Sequence, residues 1–290
     1  MTSRLALGTA QFGLQYGVAN RSGQLSRAAA RAILQQAAEA GIVTLDTAIA
    51  YGESEARLGE SGVGGWQVVS KLPPVPAGCA DVAGWVRGAV HGSLQRLGVS
   101  RLHGLLLHEP RELLAAHGSA LQGALLALKE AGLVSRIGVS VYGPEELAAL
   151  WPRVQVDIVQ APFNVIDRRL QESGWLTRLH DAGAEIHVRS VFLQGLLLMP
   201  FASRPAAFAR WQRLWDQWQS WLTGQQLTAL QACLGFALGR CEIDRVIVGV
   251  DSVTQLQEIV AAAQTPAVTP PESLRSDDPE LLNPSRWRVS

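Results

Sequence analysis

Eight short β-type runs alternate with longer helical segments along this chain, and that alternation constrains the fold more than any other feature. Alternating strands and helices are typical of a parallel sheet whose strands are joined by crossover helices. The candidate strands cover residues 5–10, 43–48, 66–72, 102–108, 136–141, 157–163, 185–191 and 245–250. They predict an α/β fold, a (β/α)8 TIM barrel, in a single domain over residues 1–290. An open doubly wound sheet is the competing architecture, but the G-x-G-x-x-G fingerprint is absent after the first run.

The helical segments carry start and stop signals. Ser26 stands where a helix N-cap is expected, and the segment that follows it stops at Gly41. The longest interval between candidate strands predicts an inserted helix at about residues 203–222. From about residue 265 the chain has no helical period, and we expect this irregular tail to wrap over the outside or to fold back toward a site.

Four tryptophans in the predicted inserted helix are spaced four, three and three residues apart, which places them on one helical face. They are Trp211, Trp215, Trp218 and Trp221. We expect this face to pack on neighbouring barrel helices. An aromatic wall beside a ligand and a dimer contact are the alternatives.

Composition excludes several classes of partner. Lys and Arg together number 25 and so do Asp and Glu, and no basic run stands out, so a nucleic-acid partner is not expected. Neither a signal h-region nor an apolar segment of about 18 residues is present, so we expect no membrane partner and a cytoplasmic protein, either monomer or homodimer. Cys79, Cys233 and Cys241 lack C-x-x-C spacing, fit a reducing compartment and are interpreted as buried thiols.

Ionisable side chains stand at the ends of three candidate strands, where a parallel barrel places its reactive groups. Side chains alternate across a strand, so Asp46 shares the interior face with Thr44 at the mouth of the barrel. Lys71 and His108 end the third and fourth runs in the same way, and Tyr51 follows Asp46 by five residues. Taken singly, each residue has a purely structural explanation: Asp46 and Lys71 can form an ion pair, and His108 can be a hydrogen-bonded histidine at the end of a strand. Together they predict a site that contains all four.

The four side chains suit the protonation of an oxyanion. A tyrosine hydroxyl, with a pKa of about 10, is a poor proton donor at neutral pH. A nearby Lys71 ammonium, held by Asp46, is expected to lower that pKa toward 7. His108 can donate a hydrogen bond to a carbonyl oxygen as negative charge develops on it. A carbonyl reduction requires this chemistry.

The segments DTAIAYG, VVSKL and LLLHEP resemble, in order, the Asp, Tyr, Lys and His segments of the aldo-keto reductase superfamily. RIGVSVYGPEEL, VQAPFNVIDR, RSVFLQGLLL and RVIVGVDSVTQLQEIV are similar to its later strand ends, so the likeness covers nearly the whole chain. The resemblance implies NAD(P)H-dependent reduction of an aldehyde or ketone, with Tyr51 as general acid, Lys71 and Asp46 as its tuning pair and His108 as the orienting group. The opening LGTAQFGLQYGVAN is similar to a bacterial branch associated with sugar or surface-polysaccharide pathways, which implies a sugar-type carbonyl.

The resemblance also implies NADPH, with NADH as the alternative, bound across the barrel mouth. The residues it assigns to cofactor binding are Ser140, Gln160, Arg189, Gln194, Gly249, Val250, Asp251 and Ser252. Several positions depart from the family pattern: Val141 replaces the usual Asn, and Ile259 replaces a distal Asn. Arg189 stands where many members carry a ring that stacks on the nicotinamide, a role that a guanidinium plane can also take.

Asp251 stands in the segment where the family usually carries a Lys or Arg for the 2'-phosphate. One interpretation is that it caps the last helix. The other is that it accepts a hydrogen bond from a free ribose 2'-hydroxyl and repels a 2'-phosphate. The second interpretation predicts a weaker preference for NADPH than is usual in the family.

Two further functions compete with a reductase. One is a metal-dependent hydrolase that uses Asp46, His108 and His187, but no H-x-H pair stands on a strand, and His103 and His108 face opposite ways. We therefore expect no metal site. The other is a cofactor-binding protein of the same fold with a regulatory or non-redox role, which the departures at Val141 and Arg189 keep open.

Overall fold

A closed parallel barrel organises the molecule. The structure is a computed structural model that describes residues 4–20 and 23–287. Within those residues, eight parallel strands pair in chain order, and the first strand pairs with the eighth to close the barrel. The strands are β1 Leu5–Gly8, β2 Thr44–Asp46, β3 Gln67–Leu72, β4 Leu102–Leu107, β5 Val134–Ser140, β6 Ile158–Pro162, β7 Glu185–Arg189 and β8 Arg245–Gly249. The predicted single-domain (β/α)8 barrel is confirmed.

Helices follow the strands around the outside. They are α1 Ala10–Gly13, α2 Arg27–Glu39, α3 Ser54–Ser61, α4 Val82–Leu97, α5 Gly118–Glu130, α6 Pro144–Leu150, α7 Arg169–Glu172, α8 Trp175–Asp181, α9 Gln212–Gln225, α10 Ala229–Leu238, α11 Val253–Ala262 and α12 Pro279–Leu282. The predicted cap of α2 is confirmed, because the Ser26 side chain accepts a hydrogen bond from the backbone N–H of Ala29. β1 ends at Gly8, two residues before the predicted end, because Ala10 already begins α1.

Two apolar layers hold the barrel. Inside it, Val69, Leu106 and Ile158 form a small cluster at mid-height. A glycine at position 104 leaves room for this layer, since a Cβ there would lie 2.6 Å from Cδ1 of Ile158. Outside it, the outward faces of the strands and the inward faces of the helices form one continuous core. A layer of apolar side chains therefore fills part of the barrel interior.

The segment between β7 and α9 differs from the predicted helix at 203–222. Short 3₁₀ turns cover Phe201–Ser203 and Ala206–Trp211 on either side of Pro205, and the α-helix begins at Gln212.

The tryptophan face of α9 is a packing surface, although only two of its four indoles are fully buried. The Trp215 and Trp218 indoles are buried and donate to the carbonyls of Phe208 (2.9 Å) and Leu197 (3.3 Å). Trp211, at the helix N-cap, and Trp221 are half-buried.

The tail packs against the outside of the barrel. The Arg168 guanidinium donates to the carbonyl of Pro271, and the N–H of Ser276 donates to the carbonyl of Ile166. Buried tail residues include Pro270, Leu274, Leu281 and Leu282. In the part of the chain that the structure describes, no helix combines the length and the apolar character needed to cross a membrane.

The three cysteines differ in exposure. Cys233 is buried, Cys79 is half-buried and Cys241 is exposed. The interpretation of all three as buried thiols is therefore wrong for Cys241. Its sulfur lies near the Glu242 carboxylate instead.

Candidate active site

Asp46 and Lys71 form a buried ion pair at the carboxyl ends of β2 and β3. The Lys71 ammonium, 1% exposed, donates to both carboxylate oxygens of Asp46 at 2.8 and 2.7 Å and to the carbonyl of Thr47 at 2.9 Å. Its three N–H bonds are then all in use. Lys71 therefore acts on its other neighbours through its charge.

A second set of hydrogen bonds holds the Asp46 carboxylate from below. The Gln160 side-chain amide donates to Oδ1 of Asp46 at 2.6 Å, and the Ser140 hydroxyl donates to the Gln160 carbonyl at 3.4 Å. Ser140 ends β5 and Gln160 lies in the middle of β6, and the sequence had assigned both to cofactor binding. In this structure they position Asp46, and their side chains lie beneath the cavity wall.

Tyr51 and His108 complete the group that the sequence predicted. The Lys71 ammonium lies 5.2 Å from the centroid of the Tyr51 ring. The His108 imidazole meets the same ring edge-on, with 5.9 Å between centroids and an interplanar angle of 75°. The structure thus brings Asp46, Tyr51, Lys71 and His108 together at the mouth of the barrel.

The phenol of Tyr51 is a weaker acid than the sequence predicted. Burial raises the pKa of Tyr51 above its usual value, the Asp46 carboxylate raises it further, and the Arg189 guanidinium lowers it only in part. The expected lowering toward 7 is therefore wrong for this structure, because burial and the Asp46 carboxylate both disfavour the phenolate. Burial likewise lowers the pKa of Lys71, and the ion pair with Asp46 opposes that effect. Tyr51 keeps its proton across the neutral range.

The imidazole of His108 is neutral at physiological pH. Burial and then the positive charges of Lys71 and Arg189 lower its pKa to about 4. A neutral imidazole carries one ring N–H, and that donor can face a carbonyl oxygen without adding a full positive charge.

A cavity of about 560 Å³ extends from Tyr51 and Asp46 to the first turns of α11. Its wall combines the loop after β1, the loop after β7 and the end of β8. Its charged lining residues, within the described ranges 4–20 and 23–287, are Asp46, Arg189, Asp251 and Glu258.

The residues assigned to cofactor binding take different places. Arg189, Gln194, Gly249 and Asp251 line the cavity. The Val250 side chain is buried in the core between barrel and helices.

Ser252, and not Asp251, is the N-cap of α11. The Ser252 hydroxyl accepts a hydrogen bond from the N–H of Gln255 at 3.1 Å, so the capping interpretation of Asp251 is wrong. The Asp251 carboxylate instead accepts from the Asn20 side chain at 3.3 Å. Its position in the cavity wall leaves the cofactor interpretation standing.

The sequence reasoning missed several residues around the site. Gln11 and Tyr16 come from the glycine-rich stretch after β1, which indicated a loop at the mouth but no particular side chain. Gln255 and Glu258 follow Asp251 by four and seven residues, and that helical spacing could have placed them on the same wall. Tyr142 gave no signal, because only the fold brings it to Arg189.

The cavity fits a nicotinamide dinucleotide. It has a volume of about 560 Å³ and is lined mainly by apolar and neutral polar side chains, with Tyr51 among its lining residues and the first turns of α11 in its wall. At Gly249 a Cβ would approach the Gln11 side-chain amide to 2.5 Å, so the bare backbone there keeps that wall open. Among the described residues, no group of three or more His, Cys, Asp or Glu is arranged to hold a metal ion.

Comparison with known proteins gives consistent matches. A family model, described as the Aldo/keto reductase family, matches residues 4–272. A protein of Escherichia coli (strain K12) named NADH-specific methylglyoxal reductase is 26% identical over 307 residues, covering 90% of this chain and 89% of that protein. An aldo-keto reductase of Mycolicibacterium vanbaalenii is 35% identical over 132 residues, 43% of this chain and 45% of that protein.

Solved structures agree on the architecture. A crystal structure of a Pseudomonas aeruginosa protein, described as an aldo-keto reductase, has a TM-score of 0.67 and 25% identity and covers 90% of this chain and 89% of that one. The holo form of an aldo-keto reductase from Bacillus halodurans has a TM-score of 0.71 over 93% of this chain and 88% of its own, at 20% identity, a likeness of fold alone.

Proposed function

Because this chain belongs to the aldo/keto reductase family and is therefore a nicotinamide-dependent oxidoreductase, we propose that it reduces a small aldehyde or ketone to an alcohol with Tyr51 as the general acid. One observation carries the proposal. A buried Asp46–Lys71 ion pair and the His108 imidazole lie against the Tyr51 ring, and Tyr51 and Asp46 line a cavity of about 560 Å³ at the mouth of the barrel.

The proposed mechanism assigns one task to each side chain. A nicotinamide cofactor held in this cavity would supply the hydride that the carbonyl carbon accepts. Tyr51 donates its proton to the carbonyl oxygen, and His108 orients that oxygen through its ring N–H and stabilises the developing negative charge. The phenolate left on Tyr51 is stabilised by the Lys71 ammonium, 5.2 Å from its ring centroid. Asp46 holds that ammonium in place.

For the cofactor we propose that NADH binds at least as well as NADPH. The family resemblance alone implies NADPH. Support for NADH comes from Asp251 and Glu258, whose carboxylates line the α11 side of the cavity, where a 2'-phosphate would need a cation. Among the described lining residues only Arg189 is basic, and it lies at the Tyr51 end. The E. coli relative is also named NADH-specific.

The proposed substrate is a small polar carbonyl compound, and sugar-type carbonyls of bacterial surface-polysaccharide chemistry belong to this class. All three tyrosines of the chain, Tyr16, Tyr51 and Tyr142, lie close enough for their charges to interact, with His108 and Arg189 beside them. Phenol, imidazole and guanidinium groups donate hydrogen bonds to oxygen atoms. The E. coli relative's name refers to methylglyoxal, a small dicarbonyl compound.

Tyr51→Phe tests the mechanism, because it keeps the ring and removes the proton. We expect kcat for aldehyde reduction to fall by about 10²- to 10⁴-fold, the usual contribution of a general acid, with cofactor affinity unchanged. Tyr16→Phe is the matched control: it removes a hydroxyl that accepts from Gln194 at the same mouth, and its effect on kcat should stay below about tenfold.

An undiminished rate in Tyr51→Phe contradicts the assignment of the acid. A wild-type protein that binds the cofactor yet reduces no member of a broad aldehyde and sugar panel favours a regulatory or non-redox role.

A further inference from the structure

Arg189, the last residue of β7, presents a positive charge to the cavity without a carboxylate partner among the described residues. Its guanidinium stacks over the Tyr142 ring at 4.7 Å from the centroid and donates to the carbonyl of Val141 at 3.0 Å and to the Ser190 hydroxyl at 3.4 Å. These partners are neutral. Asp46, which lines the same cavity, is already paired with Lys71.

This charge lies beside the reacting centre. Arg189 and Tyr51 line the same cavity, and the guanidinium is close enough to lower the pKa of both Tyr51 and His108. Hydride transfer requires the reacting atoms to lie about 3 to 3.5 Å apart. The carbon that receives the hydride carries the oxygen that Tyr51 protonates. The nicotinamide ring must therefore lie at the Arg189 end of the cavity.

The two oxidation states of that ring differ in charge, since the oxidised ring is a cation and the reduced ring is neutral. A guanidinium repels the cationic oxidised ring, and this repulsion is strong where the site is partly shielded from water. The same guanidinium can stack on the neutral reduced ring. We propose that Arg189 makes this site bind the reduced cofactor in preference to the oxidised one. The inference depends on nicotinamide binding and not on which carbonyl compound is reduced.

A preference for the reduced cofactor favours carbonyl reduction over alcohol oxidation. The oxidised cofactor is a product of carbonyl reduction, so its weaker binding limits product inhibition. A tenfold difference in affinity corresponds to about 30 mV in the potential of the bound two-electron couple.

The test compares affinities for NADH and NAD⁺ in the absence of any carbonyl substrate. NADH is titrated by its fluorescence, and NAD⁺ by calorimetry. In the wild type we expect NADH to bind at least about tenfold more tightly than NAD⁺, which equals about 1.4 kcal/mol. Arg189→Gln should bring the two affinities within about threefold by strengthening NAD⁺ binding. Arg189→Lys keeps the charge and should keep most of the difference.

Equal affinities in the wild type overturn the proposal without any variant. The Arg189→Gln variant, if its melting temperature is unchanged, overturns the proposal in either of two cases. In the first, the ratio of the NADH and NAD⁺ affinities stays as in the wild type. In the second, both cofactors bind more weakly by the same factor, as loss of stacking alone would cause. Arg189→Met, which is also neutral and nearly as long, replaces Arg189→Gln if that variant does not fold. Because no turnover is measured, the result stands apart from whether Tyr51 reduces a carbonyl.

Discussion

At the scale of single residues, Asp251 and Glu258 give the α11 side of the cavity a negative character. Both line the cavity, and Asp251 is half-buried, so its partial withdrawal from water raises the pKa of its carboxyl above the usual value. A free ribose 2'-hydroxyl can donate to such a carboxylate, whereas a 2'-phosphate is repelled by it. No basic side chain lines this side of the cavity in the described part of the chain, and the proposed preference for NADH follows from that electrostatic balance.

We expect the double variant Asp251→Asn/Glu258→Gln to bind NADPH at least about tenfold more tightly than the wild type, since each amide removes one repelling charge. NADH affinity should change by less than about threefold. Fluorescence titration of both cofactors measures the two dissociation constants. Glu130→Gln on the exposed side of α5 is the control and should alter neither. A wild-type dissociation constant more than about tenfold lower for NADPH than for NADH contradicts this account.

At the scale of elements, α1 supports the segment that carries Tyr51. Gly13 ends α1 against the carbonyl of Tyr51, and a Cβ at Gly13 would lie 1.7 Å from that oxygen and 2.6 Å from the N–H nitrogen of Ser54. These two groups form the hydrogen bond that starts α3. The close approach of the two backbones needs a residue without a side chain.

Gly13→Ala should therefore displace Tyr51 without removing its hydroxyl. Inserting a methyl group into a filled contact costs about 1–3 kcal/mol of unfolding free energy. A displacement of about 1 Å at the acid can lower kcat by about 10²-fold. Urea unfolding and steady-state kinetics well below the melting temperature measure both effects.

The matched control is Gly123→Ala, because Gly123 lies on the exposed face of α5 and a Cβ there meets open space. We expect this variant to gain about 0.5–1 kcal/mol of stability from its higher helix propensity and to keep full activity. Equal behaviour of the two alanine variants would show that the Gly13 contact does not position Tyr51.

Strand periodicity predicted where Asp46, Lys71 and His108 lie, because a strand end and a side-chain alternation are local properties of a sequence. It could not predict the raised pKa of Tyr51, which depends first on how deeply the fold buries the phenol and then on the charge of the nearby Asp46 carboxylate.

Other features depended on contacts that the sequence does not encode locally. The stack of Arg189 on Tyr142 joins residues 47 positions apart, so no periodicity indicates it. Asp251 and Ser252 are both good capping residues, and only the backbone direction at the start of α11 decides between them.

At the scale of the whole molecule, the two ends of the barrel perform different tasks. Tyr51 and its partners occupy the carboxyl ends of the strands. At the opposite end, the Glu185 carboxylate at the start of β7 accepts from His187 at 2.8 Å and from His103 at 3.1 Å and pairs with Arg136 at 3.1 Å. This second polar cluster joins three strands across the barrel interior, and we interpret it as a stabilising element.

The charge state of Glu185 makes that contribution depend on pH. Burial alone would raise the pKa of Glu185, but the hydrogen bonds from His103 and His187 more than offset it, so its pKa lies below the usual value. A carboxylate with a lowered pKa in the folded state stabilises the protein above its unfolded-state pKa of about 4.5. That contribution is lost progressively as the pH falls below this value.

Glu185→Gln should consequently lower the unfolding free energy by about 2–4 kcal/mol at pH 7, since it removes a largely buried charge that the fully buried His187 shares with His103 and Arg136. The difference from the wild type should shrink as the pH falls from 5 toward 3. Glu280→Gln removes an exposed partner of Arg286 and should cost less than about 1 kcal/mol at either pH. Denaturant unfolding at several pH values measures both variants.

The same Glu185→Gln protein tests the separation of the two ends. Strand residues rise about 3.3 Å each, so Arg189 lies about 13 Å beyond Glu185 along β7, and the ion pair of Asp46 with Lys71 makes no contact with the Glu185 cluster. At 25 °C and pH 7, where the variant remains folded, kcat and cofactor affinity should therefore match the wild type. A fall in kcat together with unchanged stability would reverse the assignment and place Glu185 in the catalytic apparatus.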